Sequence, residues 1–198
     1  QGAKGLSEKY GELNNGNYFY YDKRLQNKIN DELKLELEKQ GIKNKKRLGL
    51  GETEIYDNPK IFIRQSAKEL IATYTEKPGA ANNSLYVFSL RNNNEKSKKV
   101  LKFICGLINS ELFTFWAQKM NVIRYAKGKQ PQIKTSDLYS LPVLQDVGLQ
   151  NKIGDLVTKI YKEKDNQNYI NEIDSLIYNY YKISGDEISF IKAEIKDY

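Results

Sequence analysis

Val100-Leu-Lys-Phe-Ile-Cys-Gly-Leu-Ile-Asn-Ser-Glu-Leu-Phe-Thr-Phe-Trp116 is the stretch on which the fold turns. Together with the residues up to Met120 it is the most apolar segment of the chain, with Leu101, Ile104, Cys105, Ile108, Leu112, Phe115 and Trp116 at helical intervals. That spacing predicts one or two core helices. Asn109-Ser110 reads as the break between them, with Ser110 capping the second. Upstream, Lys60-Ile-Phe-Ile-Arg64, Leu70-Ile-Ala-Thr-Tyr74 and Ser84-Leu-Tyr-Val-Phe-Ser-Leu90 are short runs of β-forming residues and read as sheet strands. Pro78 to Asn83 and Arg91 to Asn94 supply turns between and after them.

Working further outward, Leu25, Ile29, Leu33 and Leu37 repeat every four residues, which predicts an amphipathic helix from Asp22 to near Gly41. Gly2 to Tyr21 lacks helical periodicity and reads as a loop or irregular strand. Lys43 to Arg47, with Gly49 and Gly51, reads as a basic surface loop. Asn121 to Pro131 turns polar and basic, and Leu141-Pro142-Val143 stops whatever precedes it. Beyond it, Ile153, Leu156, Val157, Ile160 and Tyr161 share one helical face, as do Ile170, Ile173, Leu176, Ile177, Tyr180 and Tyr181. A last helix is expected from Ser184, with Glu187 closing a capping box. The fold class is α+β: a mixed sheet-and-helix domain followed by a C-terminal helical segment. The expected divisions are 1–53, 54–145 and 146–198.

Length and composition exclude much chemistry. At 198 residues the chain fits one large domain or a domain with an appendage. A chain of this size buries about 70% of its unfolded surface and needs neither disulfide nor metal to fold. One cysteine and no histidine rule out a disulfide framework, a Cys/His zinc site and any His-based triad. Hydrophobic residues at 39% and aromatics at 12% place the chain among globular proteins. No apolar run reaches the roughly 18 residues of a membrane span, and no charged-then-apolar leader opens the sequence. A cytosolic protein without a membrane partner is the expectation. Because the first residue is Gln1 and the one methionine is Met120, the expectation is also of an excised fragment whose missing part carries the activity.

The formal charge of +7 points toward an anionic partner, but only five of the 32 basic residues are arginine. Lys, Asn, Ile and Tyr share A/T-rich codons, so a low-GC genome would produce much of this excess. Its distribution carries more information. Residues 1–64 hold 13 basic and 10 acidic residues, 65–145 hold 12 and 5, and 146–198 hold 7 and 10. The middle cations cluster in loops: Lys96, Lys98 and Lys99; Arg124, Lys127 and Lys129; Lys68 with Arg64 nearby. Such loops suit phosphate contacts, although a solvated lysine-rich face reads the same way. Lys68, Lys96, Lys98, Lys99, Lys127 and Lys129 are therefore the candidate phosphate contacts. Arg64, Gln65, Arg91, Arg124, Gln130 and Gln132 are the candidate base readers, since a guanidinium can take a guanine edge and a Gln amide an adenine edge. Tyr125 reads more readily as a packing residue than as a stacking one.

Catalytic constellations are lacking. There is no Asn-Pro-Pro-Tyr-type loop, no Gly-rich cofactor loop leading into a helix and no phosphate loop. Glu52, Glu54 and Asp57 are the nearest acidic group for a nuclease metal and lack a convincing spacing. Cys105, in an apolar helix, reads as a small core residue. No catalytic, cofactor or metal residue is assigned.

Four segments carry a family resemblance. Pro59-Lys-Ile-Phe-Ile-Arg-Gln65, Asn83-Ser-Leu-Tyr-Val-Phe88, Phe103-Ile-Cys-Gly-Leu-Ile-Asn-Ser-Glu-Leu112 and Ile133-Lys-Thr-Ser-Asp-Leu-Tyr-Ser-Leu-Pro-Val143 resemble, in order and spacing, the TaqI-like C-terminal specificity domain. This is the target-recognition part of adenine-specific DNA methyltransferases and single-chain restriction-modification enzymes. The tail from Glu172 to Ile188 resembles the helical ending of those enzymes. The resemblance implies double-stranded DNA as partner and a methyltransferase domain, with its S-adenosylmethionine site, upstream in the same polypeptide. It also implies Mg²⁺ where a nuclease domain is fused. It further implies structural roles for Asn109-Ser110 and Leu141-Pro142: a helix break under the sheet, and a turn returning the chain to the helical tail. The family's base readers sit in variable loops, so the residues named above rest on physical grounds alone. Two alternatives stay open: a specificity subunit of a phage-defence system that docks on a separate methyltransferase through its tail helices, and a free-standing nuclease.

Overall fold

The computed structural model describes residues 5–13, 21–42, 54–82, 84–125 and 130–197. The apolar run becomes two helices, α3 (Glu95–Asn109) and α4 (Glu111–Lys119), bent by 62° at Ser110. Ser110 Oγ accepts the Phe113 N–H, as a cap should, and donates back to the Leu107 carbonyl. The helices ahead of this pair are α1 (Lys23–Lys39), capped by Asp22, and the single-turn α2 (Glu54–Asp57). The end of α1 follows the expectation: Gly41 takes the left-handed conformation, at φ 70°, that glycine adopts without a Cβ penalty.

Three strands, β1 (Lys60–Arg64), β2 (Ala72–Thr75) and β3 (Leu85–Ser89), form an antiparallel sheet in the order β2-β1-β3. The second strand begins two residues later than Leu70. Leu70 is fully buried and its N–H faces Thr114 Oγ1 at 3.4 Å, so it serves helix contact and not the ladder. Alternation sorts the two sheet faces. Ile61, Ile63 and Tyr74 point into the main core with α3, whereas Phe62 and Leu85 meet Leu6 of the N-terminal segment on the other side.

Beyond the sheet, β4 (Ile123–Arg124) and β5 (Gln132–Ile133) make a small antiparallel ribbon, followed by α5 (Thr135–Leu138). The tail consists of α6 (Val147–Ile160), α7 (Gln167–Tyr180) and α8 (Gly185–Asp197). The capping box forms as expected: Glu187 accepts the Ser184 N–H at 2.7 Å, and Glu187 N–H reaches back to Ser184 Oγ at 3.4 Å. The apolar faces of α6 and α7 are mostly spent inside the molecule, but Tyr180 and Tyr181, expected on the α7 face, are left exposed at its end. Ile153, Leu156, Val157, Ile160, Ile173 and Ile177 join the same core as Ile61 and Ile63. Helices α3 and α6 approach through two glycines. A Cβ on Gly106 would stand 2.5 Å from Ile153 Cγ2, and one on Gly154 would stand 3.2 Å from the Lys99 carbonyl oxygen. Among the described residues no single helix is long and apolar enough to cross a membrane. The basic stretch Lys43 to Arg47, with Gly49 and Gly51, lies outside the described residues.

Strand β2 is a sheet edge, and edge backbone groups need partners. Asn109 supplies them: its Oδ1 accepts the Ala72 N–H at 2.8 Å and its Nδ2 donates to the Ala72 carbonyl at 2.9 Å. One turn of strand further on, the Tyr161 hydroxyl at the end of α6 accepts the Tyr74 N–H at 2.7 Å. On the other side of α4, the Asp174 carboxylate of α7 accepts the Glu111 N–H at 2.8 Å, in the first turn where a helix favours negative charge. Burial nevertheless pushes Asp174 up to about 6, with the Glu111 carboxylate adding to the rise and Lys9 and Lys192 opposing it.

Both contacts give tests. Asn109→Ala leaves the buried Ala72 N–H unpaired, while the Ala72 carbonyl keeps the Tyr10 N–H at 3.0 Å, and should lower the unfolding free energy by about 1–3 kcal/mol in urea denaturation. A loss under about 1 kcal/mol would show that the edge does not depend on this side chain. Because the folded Asp174 pKa lies above the unfolded value of about 3.9, its stabilisation is present below pH 4 and is lost as pH rises through 6. Denaturation of wild type and Asp174→Asn across pH 4–7 should therefore show stability shifting toward the variant by at most about 3 kcal/mol as pH rises. A pH-independent difference would contradict the assignment.

Candidate nucleic-acid interface

The end of β1 is the anchor for the exposed basic and amide side chains. There the chain turns at Gln65–Lys68, and backbone bonds tie this turn to the ribbon. The Gln65 carbonyl accepts the Ile133 N–H at 2.9 Å, while Gln65 N–H donates to Ser84 at 3.0 Å. Ser66 Oγ donates to the Pro131 carbonyl at 2.7 Å and lies 3.3 Å from Gln130 Oε1. Tyr86 of β3 donates to the Ile133 carbonyl at 2.7 Å. The two-stranded ribbon is thereby held against the end of the sheet by Gln65, Ser66 and Tyr86.

Within the ribbon, Ile123 and Ile133 are buried as a cross-strand pair, and Arg124 and Gln132 are opposed and exposed. Asn121 makes the turn into β4 in the left-handed conformation, φ 55°, which Asn tolerates better than most residues. Arg124 Nη2 meets Asp137 Oδ2 of α5 at 2.8 Å. Tyr125 is half exposed, with the Lys68 ammonium 5.9 Å from its ring centroid, a cation–π distance. The packing role expected of Tyr125 is thus replaced by a position on the surface beside Lys68. Arg64, Ser66, Lys68, Gln130, Pro131 and Glu69, whose carboxylate pairs with Lys9 at 2.9 Å, line a shallow groove of about 330 Å³ between the turn and the ribbon. Arg64 lies at its edge with Nη1 reaching the Leu6 carbonyl at 3.5 Å, while its Nε is buried without a hydrogen-bond partner.

The structure therefore brings Arg64, Gln65, Lys68, Arg124, Gln130 and Gln132 to one end of the molecule. It does not bring the remaining candidates there. Register pairs Arg64 with Leu85 and Lys60 with Ser89, so Arg91 and the α3 lysines that follow β3 sit at the opposite end, one strand length of about 13 Å away. Of these, Arg91, Lys96 and Lys99 are exposed. Lys98 is engaged: its ammonium contacts Glu95 at 2.8 Å and Glu76 at 3.0 Å, and these carboxylates hold it charged above the usual lysine range. Lys127 and Lys129 lie between β4 and β5, outside the described residues.

Elsewhere the chemistry is quiet. Cys105 is fully buried, and burial pushes its thiol up to about 12, which suits a core residue and not a nucleophile. No group of three or more His, Cys, Asp or Glu among the described residues is placed to hold a metal ion. A larger cavity of about 860 Å³, between the N-terminal segment and α6–α7, is lined by Glu8, Glu12, Glu69, Glu111, Glu163 and Asp174 against Lys9, Lys162 and Lys164, a balance unsuited to a phosphate backbone. Two residues that shape the interface, Tyr86 and Asp137, escaped the sequence reading, whereas Ser66 stands there beside Arg64 and Gln65 as a polar group at a strand end. Only Asp137 carried a signal there, as the single acid between Glu111 and Asp146.

The family model described as the TaqI-like C-terminal specificity domain matches residues 9–143, which spans the sheet, the helix pair and the ribbon. No curated protein matches the chain.

Proposed function

Because the chain belongs to the family of TaqI-like C-terminal specificity domains, and so carries a DNA sequence-recognition role in restriction-modification, we propose that the exposed end formed by the Gln65–Lys68 turn and the β4–β5 ribbon reads double-stranded DNA. The observation that carries this reading is the convergence of Arg124, Gln130, Gln132 and Lys68 on one rim that backbone bonds hold rigid. A two-stranded ribbon fits the major groove, where the four base pairs are distinguishable. Arg124 offers donors for a guanine edge, and Gln130 and Gln132 offer amides for adenine. Lys68 and, in the connection between the two strands, Lys127 and Lys129 take phosphates. Arg91, Lys96 and Lys99, at the far end of the sheet, serve flanking backbone at most.

In this reading the domain selects where a methyltransferase acts and presents a flipped-out adenine to it. S-adenosylmethionine, and Mg²⁺ where a nuclease is present, belong to that catalytic part, which lies in the same polypeptide. The acidic tail faces away from DNA. Docking of a separate methyltransferase on the tail has less support, since the isoleucines, leucine and valine of α6 and α7 are buried in the core and the large apolar side chains left exposed on the tail are the scattered Val147, Tyr180, Tyr181 and Phe190.

Replacing Arg124 and Gln130 together with alanine should abolish sequence preference in a binding assay while leaving weak, salt-sensitive affinity from the lysines. Unchanged preference in the double variant would refute the assignment of the ribbon as reader.

A further inference from the structure

We propose that Asp137 is a specificity-determining positioning residue, which holds the Arg124 guanidinium so that one edge is committed to the carboxylate and the other is presented to a guanine. This rests on the DNA-reading role proposed above. Arg124 Nη2 and Asp137 Oδ2 are 2.8 Å apart. That oxygen is buried and accepts no aligned hydrogen bond among the described residues, so its contact with the guanidinium is an ion pair that balances the buried charge and not a directed N–H bond. The carboxylate is itself fixed. Ser136 Oγ donates to its Oδ1 at 3.2 Å, and Asp137 N–H donates to the Lys134 carbonyl at 3.0 Å in the turn of α5. Arg124 is meanwhile anchored from its own backbone, opposite Gln132 in the ribbon.

The chemistry distinguishes a base reader from a phosphate clamp. A phosphate contact profits from an unopposed charge, and a carboxylate beside it weakens the attraction. Guanine recognition needs the plane of the guanidinium held still, so that two parallel N–H donors meet N7 and O6, and it needs little net charge. Arginine has five N–H donors, and one contact with Asp137 leaves a complete pair for the base. With the Asp137 side chain 19% exposed and that of Arg124 45% exposed, the carboxylate is the inner partner and the guanidinium the outer one.

The two roles separate in one experiment: selection from a pool of random-sequence duplex DNA by wild type, Asp137→Asn and Arg124→Lys, with affinity for unselected duplex measured alongside. Wild type should select a sequence containing a guanine that Arg124→Lys no longer requires. Asp137→Asn should lose preference for that same guanine by about tenfold, keep the other selected positions, and bind unselected duplex as tightly as wild type or more tightly. Asp137→Glu, which keeps the carboxylate, should recover part of the preference. A merely structural role would lower all positions and unselected binding together, and that result overturns the proposal, as does full guanine preference in Asp137→Asn. Where Asp137→Asn fails to fold, Arg124→Lys decides: if no guanine is lost there, the proposal falls. No selected sequence from wild type would instead refute the DNA-reading role itself, and this inference with it.

Discussion

The pairing of the Asn109 amide with both backbone groups of Ala72 is the contact on which the arrangement of the whole molecule depends. A three-stranded sheet has two edges, and β2 presents its own toward the helices, where water is excluded. A planar amide offers an acceptor and a donor side by side, so one side chain continues the ladder that a fourth strand would have supplied. It also fixes α3 along and around its axis relative to the sheet. Tyr161 repeats the device at Tyr74 from the end of α6. Both helices are thus referenced to the same strand, and their mutual approach through Gly106 and Gly154 follows.

Fixing one edge of the sheet to the helices determines what remains free. The chain returns to the end of β1 at Arg64 after α4 and builds the ribbon against it. Gln65, Ser66 and Tyr86 bind that ribbon through backbone carbonyls and N–H groups, which leaves the ribbon's own polar side chains outward. Rigidity of this kind is what recognition requires, because a reading side chain on a mobile loop pays the ordering cost on every encounter. The acid balance completes the picture: carboxylates crowd the cavity at α6–α7 and the α3 lysine at Glu76 and Glu95, while at the ribbon Asp137 meets Arg124 and Glu69 lines the groove beside Lys68.

Much of this was legible in the sequence where a feature has a local cause. The helix pair, its break at Asn109-Ser110 and the Ser184–Glu187 box follow from capping chemistry and apolar spacing, and the structure has them at those residues. The three strands follow from their β-branched and aromatic runs. The ribbon did not, since two residues per strand show no periodicity, and its stability comes from a partner 68 residues away at Gln65. Nor did the sorting of the cations: Lys68 and Lys99 look equivalent in a charge count, and only the register of β1 against β3 sets them at opposite ends. Tyr125 and Asp137 were hidden for the same reason, because each takes its meaning from a residue brought close by the fold.

Hydrogen exchange with and without duplex DNA tests the central claim most directly, since it reports which backbone becomes protected. The account predicts new protection at residues 64–69 and 123–137, with α6 and α7 unchanged. Protection confined to α7 and α8, with the ribbon exchanging as in the free protein, would contradict it.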